Sequence, residues 1–312
     1  MNTSKIPTAM NAVRLNKANG PAGLVYENVA TPRPNDGEVL VRVHAAAITR
    51  DELEWPLNRL PAIPSYEFSG VVAGIGNEVE DIVLGDEVYA LSPFDRDGAA
   101  AEYIVIQSEF LAPKPKTLDH IQSSSIPLAA LTAWQGLFDH GQLEKGQRVL
   151  IHGATGGVGH FAVQFAHQCG AYVIGTVSSG NIKAARELGA DEIIDYTAIR
   201  FEDVIHDVDL VFDTVGGDRL ERSPAAIRKG GRLISVAAEP PHERAKSLGI
   251  ESLYFVVSPS RAQLTEIARL VDSGILRPAI DKVFPLSRAR EAFERSLVYH
   301  GSGKIILRVA DE

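Results

Sequence analysis

Apolar and polar positions alternate with two different periods along this chain of 312 residues. From about residue 10 to 120 the period is two, in short runs such as Glu38-Val39-Leu40-Val41-Arg42-Val43, Gly70 to Ile75 and Asp86 to Ala90, with Gly and Pro between them. Such runs predict an antiparallel, barrel-like set of short strands. From about 124 to 268 the texture changes. Strand-like segments at 148–152, 171–177, 192–195, 209–215, 232–236 and 254–257 alternate with helical patterns that include 181–188, 217–228 and 260–273. Six strands joined by helix-length connections predict an α/β fold built on a doubly wound parallel sheet. The tail returns to the first texture, with strands at 281–284 and 304–309 around a helix at 287–298. The expected organisation is a β domain of residues 1–123 plus 270–312, with a nucleotide-type domain of residues 124–269 inserted into it.

Inside the second region, the apolar run Arg148 to His152 leads into Gly153-Ala154-Thr155-Gly156-Gly157-Val158-Gly159 and then into a helical pattern ending at Cys169. Glycine lets the backbone turn tightly and approach a pyrophosphate, and a helix start offers free N–H groups to negative charge. Plain tight packing also uses glycine-rich turns. The strand before, the helix after and a second strand about twenty residues on favour a dinucleotide site. The spacing is GxxGxxG and not GxGxxG, so the turn carries one extra residue. Its contacts would come from Gly153, Ala154, Thr155, Gly156, Gly157 and Val158.

The end of the second strand selects the dinucleotide. An acid there would bind the ribose hydroxyls of NAD. The segment Thr176 to Lys183 instead presents Ser178, Ser179, Asn181 and Lys183, with no acid before Glu187. Hydroxyls, an amide and an ammonium suit a 2′-phosphate, which points to NADPH. The alternative is a helix cap followed by a solvated lysine.

Composition narrows the remaining classes. A net charge of −9 without any Lys/Arg block disfavours nucleic acid as a partner. The single cysteine, Cys169, excludes an intrachain disulfide and falls on the helical stripe Val158, Ala162, Phe165, which suggests packing. No apolar stretch approaches bilayer length and the start shows no charged-then-apolar leader, so the expectation is a cytoplasmic protein without a membrane partner. The apolar segment Ser252 to Val257 would be the last strand of the parallel sheet, an edge suited to pairing with a second copy as a homodimer.

Several motifs together resemble the medium-chain dehydrogenase/reductase superfamily, in its zinc-independent quinone oxidoreductase branch. They are Pro127 to Trp134, the glycine run followed by Phe161-Ala162-Val163-Gln164, Leu188 to Tyr196, Val211 to Gly217, and Gly303-Lys304-Ile305-Ile306-Leu307. The resemblance implies a six-stranded Rossmann sheet inserted into a GroES-like antiparallel β-barrel. It also implies that Ser178, Ser179, Asn181 and Lys183 surround the 2′-phosphate and that Tyr196 packs at the adenosine end. Tyr196 alone also reads as an ordinary half-buried aromatic. Val215 would lie by the cofactor ribose, Phe255 and Val257 by the nicotinamide carboxamide, and Lys304 would reach back towards the cofactor.

Zinc members of that superfamily need thiolate and imidazole ligands, because zinc prefers sulfur and nitrogen donors. The matching positions here hold Thr49 and Tyr66, and His44, His152 and His160 lack a paired spacing, so the expectation is no metal. The resemblance places Thr49 and Tyr66 at the substrate end of the nicotinamide, with Thr132 nearby, as hydrogen-bond donors in catalysis. Tyr66 reads equally as a pocket wall. Thr49, Arg50, Glu52 and Ser65-Tyr66 depart from the pattern usual in quinone reductases, which leaves the substrate less defined than the cofactor. The expected reaction is hydride transfer from NADPH to a small-molecule quinone or α,β-unsaturated carbonyl compound. The alternatives are an enoyl-thioester reductase and a non-catalytic NADPH-binding sensor.

Overall fold

The computed structural model describes residues 6–298 and 301–310, so the outermost residues of the expected β domain, 1–5 and 311–312, lie outside the described part. In chain order the first strands are β1 (Ala9–Leu15), β2 (Leu24–Ala30), β3 (Glu38–Ile48), β4 (Glu67–Ile75), β5 (Glu87–Leu91), β6 (Tyr103–Gln107) and β7 (Ala112–Pro113). β1 and β2 form an antiparallel ribbon, and β3 is the hub of a larger sheet, pairing antiparallel with both β4 and β6. Val39, Val41, Val43, Ala46, Phe68, Val72 and Ile106 fill the interior between these strands.

Two helices, α1 (His120–Ser124) and α2 (Pro127–Trp134), then lead through a π-helical turn at 135–140 into the second region. Strands β8 (Arg148–His152), β9 (Tyr172–Val177), β10 (Glu192–Asp195), β11 (Val208–Asp213), β12 (Ile227–Ser235) and β13 (Glu251–Tyr254) form one parallel sheet in the order β10-β9-β8-β11-β12-β13. Helices α3 (Gly159–Cys169), α4 (Ile182–Glu187), α5 (Gly217–Arg222), α6 (His242–Ser247) and α7 (Arg261–Asp272) connect or cover it. Strand order reverses between β8 and β11, and the glycine turn leaves β8 at that crevice, where doubly wound sheets bind ligands.

Two elements are shorter than their patterns suggest. The helix expected over 217–228 stops at Arg222, because Pro224 cannot continue it. Ser223–Ala226 forms a 3-10 turn and the chain enters β12 at Ile227. The last strand ends at Tyr254, not Val257. Beyond it the chain leaves the sheet, and Gln135 grips Ser258 by donating to its carbonyl (2.8 Å) and accepting from its N–H (3.0 Å).

The chain then returns to the first sheet through β14 (Ile280–Pro285), α8 (Ala289–Val298) and β15 (Lys304–Arg308). A helix between β14 and β15 is a crossover, so this pair runs parallel within an otherwise antiparallel sheet. β15 pairs antiparallel with β3, which sets Ile305 opposite Ile48, while the β3–β4 register sets Ala47 opposite Glu67. Three neighbouring strand ends therefore bring Thr49, Glu67 and Lys304 to one place.

The two regions share a core. Tyr66, Tyr89 and Leu91 belong to the same apolar cluster as α2, α3 and the inner strands β8 and β9. His152 is buried at the end of β8 with its ring nitrogens 3.1 Å from the hydroxyls of Thr176 and Ser223, and burial pulls its pKa down to about 3. His160 is likewise buried and pulled down to about 4 by burial, with its Nδ1 2.9 Å from the carbonyl of Gly156. Both are neutral packing histidines.

Candidate active site

The glycine turn is built from backbone. Gly153 has φ of 73°, and a Cβ there would meet Thr214 Oγ1 at 2.8 Å. At Gly159 a Cβ would come within 2.0 Å of the Gly153 carbonyl oxygen, so no larger residue fits the first turn of α3. Ala154 and Thr155 are buried, and the Ala154 N–H is tied to Thr176 on β9 (3.2 Å). At the start of α3 the N–H groups of His160 and Phe161 are taken by the carbonyls of Gly156 and Val158 (3.1 Å each), and no side chain of residues 156, 157 or 159 covers the backbone of the turn. These features fit a dinucleotide pyrophosphate.

The segment after β9 is less simple than its sequence. Asn181 Nδ2 donates to Ser178 Oγ (3.1 Å), which groups these two as expected. Ser179, however, donates to Asp195 (2.5 Å) at the end of the neighbouring strand β10. That hydrogen bond, with two more from Thr197, holds the Asp195 carboxyl below its usual range. Lys183 points into solvent and pairs with Glu187 (3.7 Å). Tyr196 is half-exposed with the Arg219 guanidinium 3.9 Å from its ring centroid, a cation–π contact. Val215 is exposed on the loop after β11, whose N–H groups at 215 and 216 are held by the buried carboxylate of Asp213. Phe255 and Val257 have buried side chains, with Phe255 packed on His140 (ring centroids 4.5 Å apart).

The second half of the site is built from side chains. Lys304 Nζ donates to Thr49 Oγ1 (3.0 Å) and lies 2.6 Å from Glu67 Oε1 in an ion pair whose members are both buried. The other oxygen of Glu67 accepts the N–H of Leu128 at the start of α2 (2.9 Å). The Lys304 stem passes the glycine turn, since a Cβ on Gly157 would lie 3.2 Å from its Cδ. A second carboxyl, Glu52, is buried alongside. Its Oε1 faces the hydroxyl of Ser65 (3.4 Å), and its Oε2 has no hydrogen-bond partner. Burial pushes its pKa up to about 8 against the opposing pull of Lys304.

Tyr66 is fully enclosed, packed against Trp55 and Phe94 with ring centroids at 5.7 and 5.3 Å. Its hydroxyl accepts from Arg59 Nη2 (2.8 Å), which also donates to the carbonyls of Phe94 and Arg96. Burial pushes the phenol up to about 12, so it stays protonated. The Thr132 hydroxyl donates to Leu128 O in its own helix (2.6 Å). Of the two donors expected, Thr49 therefore joins Lys304 beside the turn, and Tyr66 turns to Arg59. Sequence reasoning missed Glu67, Arg59, Asp195 and the burial of Glu52. The available signals were a carboxylate opening the apolar run Phe68 to Val72 and a lysine opening the run Ile305 to Leu307.

The donor set does not fit zinc. A hydroxyl, an enclosed phenol and one carboxylate already paired with an ammonium offer neither thiolate nor imidazole, and a lysine cation faces the carboxylate a metal would need. Among the described residues no three His, Cys, Asp or Glu side chains are grouped for a metal.

Comparison with known proteins agrees with this architecture. Residues 35–116 match the alcohol dehydrogenase GroES-like domain, and residues 188–307 match the zinc-binding dehydrogenase family. The chain is 33% identical to a probable zinc-binding oxidoreductase of Arthroderma benhamiae, covering 92% of this chain and 93% of that protein. It is 32% identical to an NADPH-dependent alkenal/one oxidoreductase of Arabidopsis thaliana, covering 97% and 81%. The quinone oxidoreductase of Coxiella burnetii superposes with a TM-score of 0.92 at 30% identity, covering 97% of this chain and 100% of that one. With this identity along nearly its whole length, the chain belongs to the medium-chain dehydrogenase/reductase superfamily.

Proposed function

We propose that this chain is a metal-independent reductase of quinones or α,β-unsaturated carbonyl compounds, with NADPH as its reductant. The observation that carries the reading is the meeting of a dinucleotide-type turn with hydrogen-bond donors in place of metal ligands, where Lys304 runs past Gly157 to Thr49. NADPH, when bound, supplies the hydride. The backbone of the turn and the start of α3 would hold its pyrophosphate, and Val215 with the 255–257 segment would flank its nicotinamide half. The Thr49 hydroxyl, half-buried, offers a donor to a substrate oxygen. The enclosed geometry of Tyr66 between Trp55 and Phe94 supports its role as a wall that excludes water from a flat substrate. Because Thr49, Tyr66 and the Lys304–Glu67 pair do not make a ligand set for a Lewis acid, an acceptor that is already electron-poor is the fitting substrate.

Arg219 on Tyr196, the open surface over Gly180, and the Ser178–Asn181 pair support a 2′-phosphate. A second reading, NADH as reductant, is favoured by the ionised Asp195 beside Ser179, which would repel a phosphate and accept from ribose hydroxyls. The deciding experiment follows oxidation of NADPH and NADH with a panel of quinones, enones and enoyl thioesters. We expect quinones or enones to be reduced with NADPH preferred. Turnover of thioesters alone, or of nothing in the panel, would replace this reading with a thioester reductase or a dinucleotide-binding sensor. Faster oxidation of NADH would overturn the 2′-phosphate assignment.

The same reading takes residues 1–123 plus 270–312 as the substrate domain and 124–269 as the cofactor domain. It takes the exposed edge of β13, with Leu253 and Val256 at the surface, as the place where a second copy pairs into a homodimer. Among the described residues no helix is long and apolar enough to cross a membrane. We place the activity in the cytoplasm.

A further inference from the structure

We propose that Lys304 supplies, from the protein, the positive charge that a metal gives zinc dehydrogenases, and that it acts through Thr49, whose hydroxyl donates to the substrate oxygen. The inference rests on the reductase reading above. A hydroxyl has one proton and two lone pairs. Lys304 Nζ already donates to Thr49 Oγ1 at 3.0 Å, so the Thr49 proton is free to point away from the lysine, and the ammonium polarises that O–H bond. Thr49 is only half-buried, whereas Lys304 and Glu67 are enclosed, so the hydroxyl is the member of the group that a substrate reaches.

The ammonium cannot drift. Glu67 Oε1 holds it at 2.6 Å, and Glu67 is itself fixed by the N–H of Leu128. The lysine stem lies against the glycine turn, where a Cβ on Gly157 would come to 3.2 Å from its Cδ. The positive charge is thereby placed between the dinucleotide turn and the substrate end before any substrate arrives, which is the preorganisation that electrostatic stabilisation requires.

Glu52 completes the balance. Two ionised carboxylates would more than cancel one ammonium. Desolvation keeps Glu52 protonated at neutral pH, with Glu67 and Asp51 adding to that tendency and Lys304 opposing it. The Lys304–Glu67 pair is then neutral overall, and it is the ammonium end that meets Thr49. As the substrate gains a hydride, its oxygen becomes negative and is held by the Thr49 hydrogen bond until a solvent proton neutralises it. No proton leaves Lys304, so Thr49 is the catalytic residue and Lys304 the positioning one.

The test uses the full-length chain with 1,4-benzoquinone and 2-cyclohexenone as acceptors, reading kcat and KM together with NADPH affinity by fluorescence titration. Thr49→Val should lower kcat about a hundredfold, the scale for losing one oxyanion donor, with NADPH affinity unchanged. Thr49→Ser should restore most of it. Lys304→Met should lower kcat similarly, and the double variant Lys304→Met with Thr49→Val should be no slower than the slower single one. Should Lys304→Met fail to fold, Lys304→Met with Glu67→Gln removes both charges and carries the same expectation. Losses that multiply in the double variant, or an unchanged kcat in Thr49→Val, overturn the assignment while leaving the reductase reading intact. A wild-type chain that reduces neither acceptor with either dinucleotide overturns both.

Discussion

The glycine turn and the Thr49–Glu67–Lys304 group lie side by side, yet they are made on opposite principles. The turn works by omission: at residues 156, 157 and 159 nothing projects, and backbone is what it offers. The neighbouring group works by crowding, with an ion pair and a protonated carboxyl packed out of water behind a half-buried hydroxyl. A site made of backbone tolerates change in its surroundings better than in its glycines. A site made of buried charges tolerates change only in pairs, because each member exists to satisfy another.

Breaking one side of the ion pair tests that contrast most severely. Glu67→Ala leaves the Lys304 ammonium buried without its carboxylate and frees the N–H of Leu128 at the start of α2. A loss of about 3–5 kcal/mol in unfolding free energy is expected, the range for removing one partner of a buried pair. Denaturant unfolding measures it. A loss below about 1 kcal/mol, the range of exposed pairs, would mean that the pair is solvated in solution and that the crowded half of the comparison is wrong.

The two halves are also unequally legible in the sequence. The turn is local: seven consecutive residues between a strand and a helix carry it, and the parallel sheet around it follows from the alternation of strand and helix patterns. Thr49, Glu67 and Lys304 are scattered along the chain, and only the registers of β3 with β4 and β15 unite them. Composition cannot supply a register. Asp195 escapes sequence reading for the same reason: following one strand end gives Ser178 and Ser179 but not the acid that the adjacent strand sets against them. Pro224 is the opposite case, a local helix stop that the broader helical pattern over 217–228 outweighs.

Acidity gives a second test of the crowded half, of at most comparable size. Glu52 has its folded pKa raised from 4.5 to about 8 by burial. Between those values the folded chain holds a proton that the unfolded chain has released, so the contribution of this group to stability falls as pH rises through the window. A tenfold difference in proton affinity between the folded and unfolded chain is worth about 1.4 kcal/mol, so this carboxyl alone should cost at most about 5 kcal/mol between the acidic and the alkaline end. The histidines at 120, 152 and 160, all lowered by burial, act in the opposite sense below pH 6.5, which makes a difference curve necessary. Glu52→Gln should abolish the decline attributed to this residue, so that the variant gains on the wild type steadily from about pH 5 to about pH 8. Parallel stability curves for the two proteins would show Glu52 to be ionised and solvated.

The mildest change acts where the two halves touch. Gly157 does not need a left-handed backbone, and the Cβ of Gly157→Ala would meet only the Cδ of Lys304, the flexible part of a long side chain, at 3.2 Å. Folding should therefore be nearly indifferent, within about 1 kcal/mol. Binding should not be, because the methyl group would enter the space proposed for the pyrophosphate and lean on the lysine behind it. We expect NADPH affinity to fall about tenfold, equivalent to about 1.4 kcal/mol, with unfolding midpoints of the free protein almost unchanged. Fluorescence titration of NADPH against both proteins reads the first, and thermal melts without ligand read the second. A variant that binds NADPH as tightly as the wild type would show that the cofactor avoids this turn. One that also loses several kcal/mol of stability would show that Lys304 cannot yield, which would make the backbone half depend on the side-chain half after all.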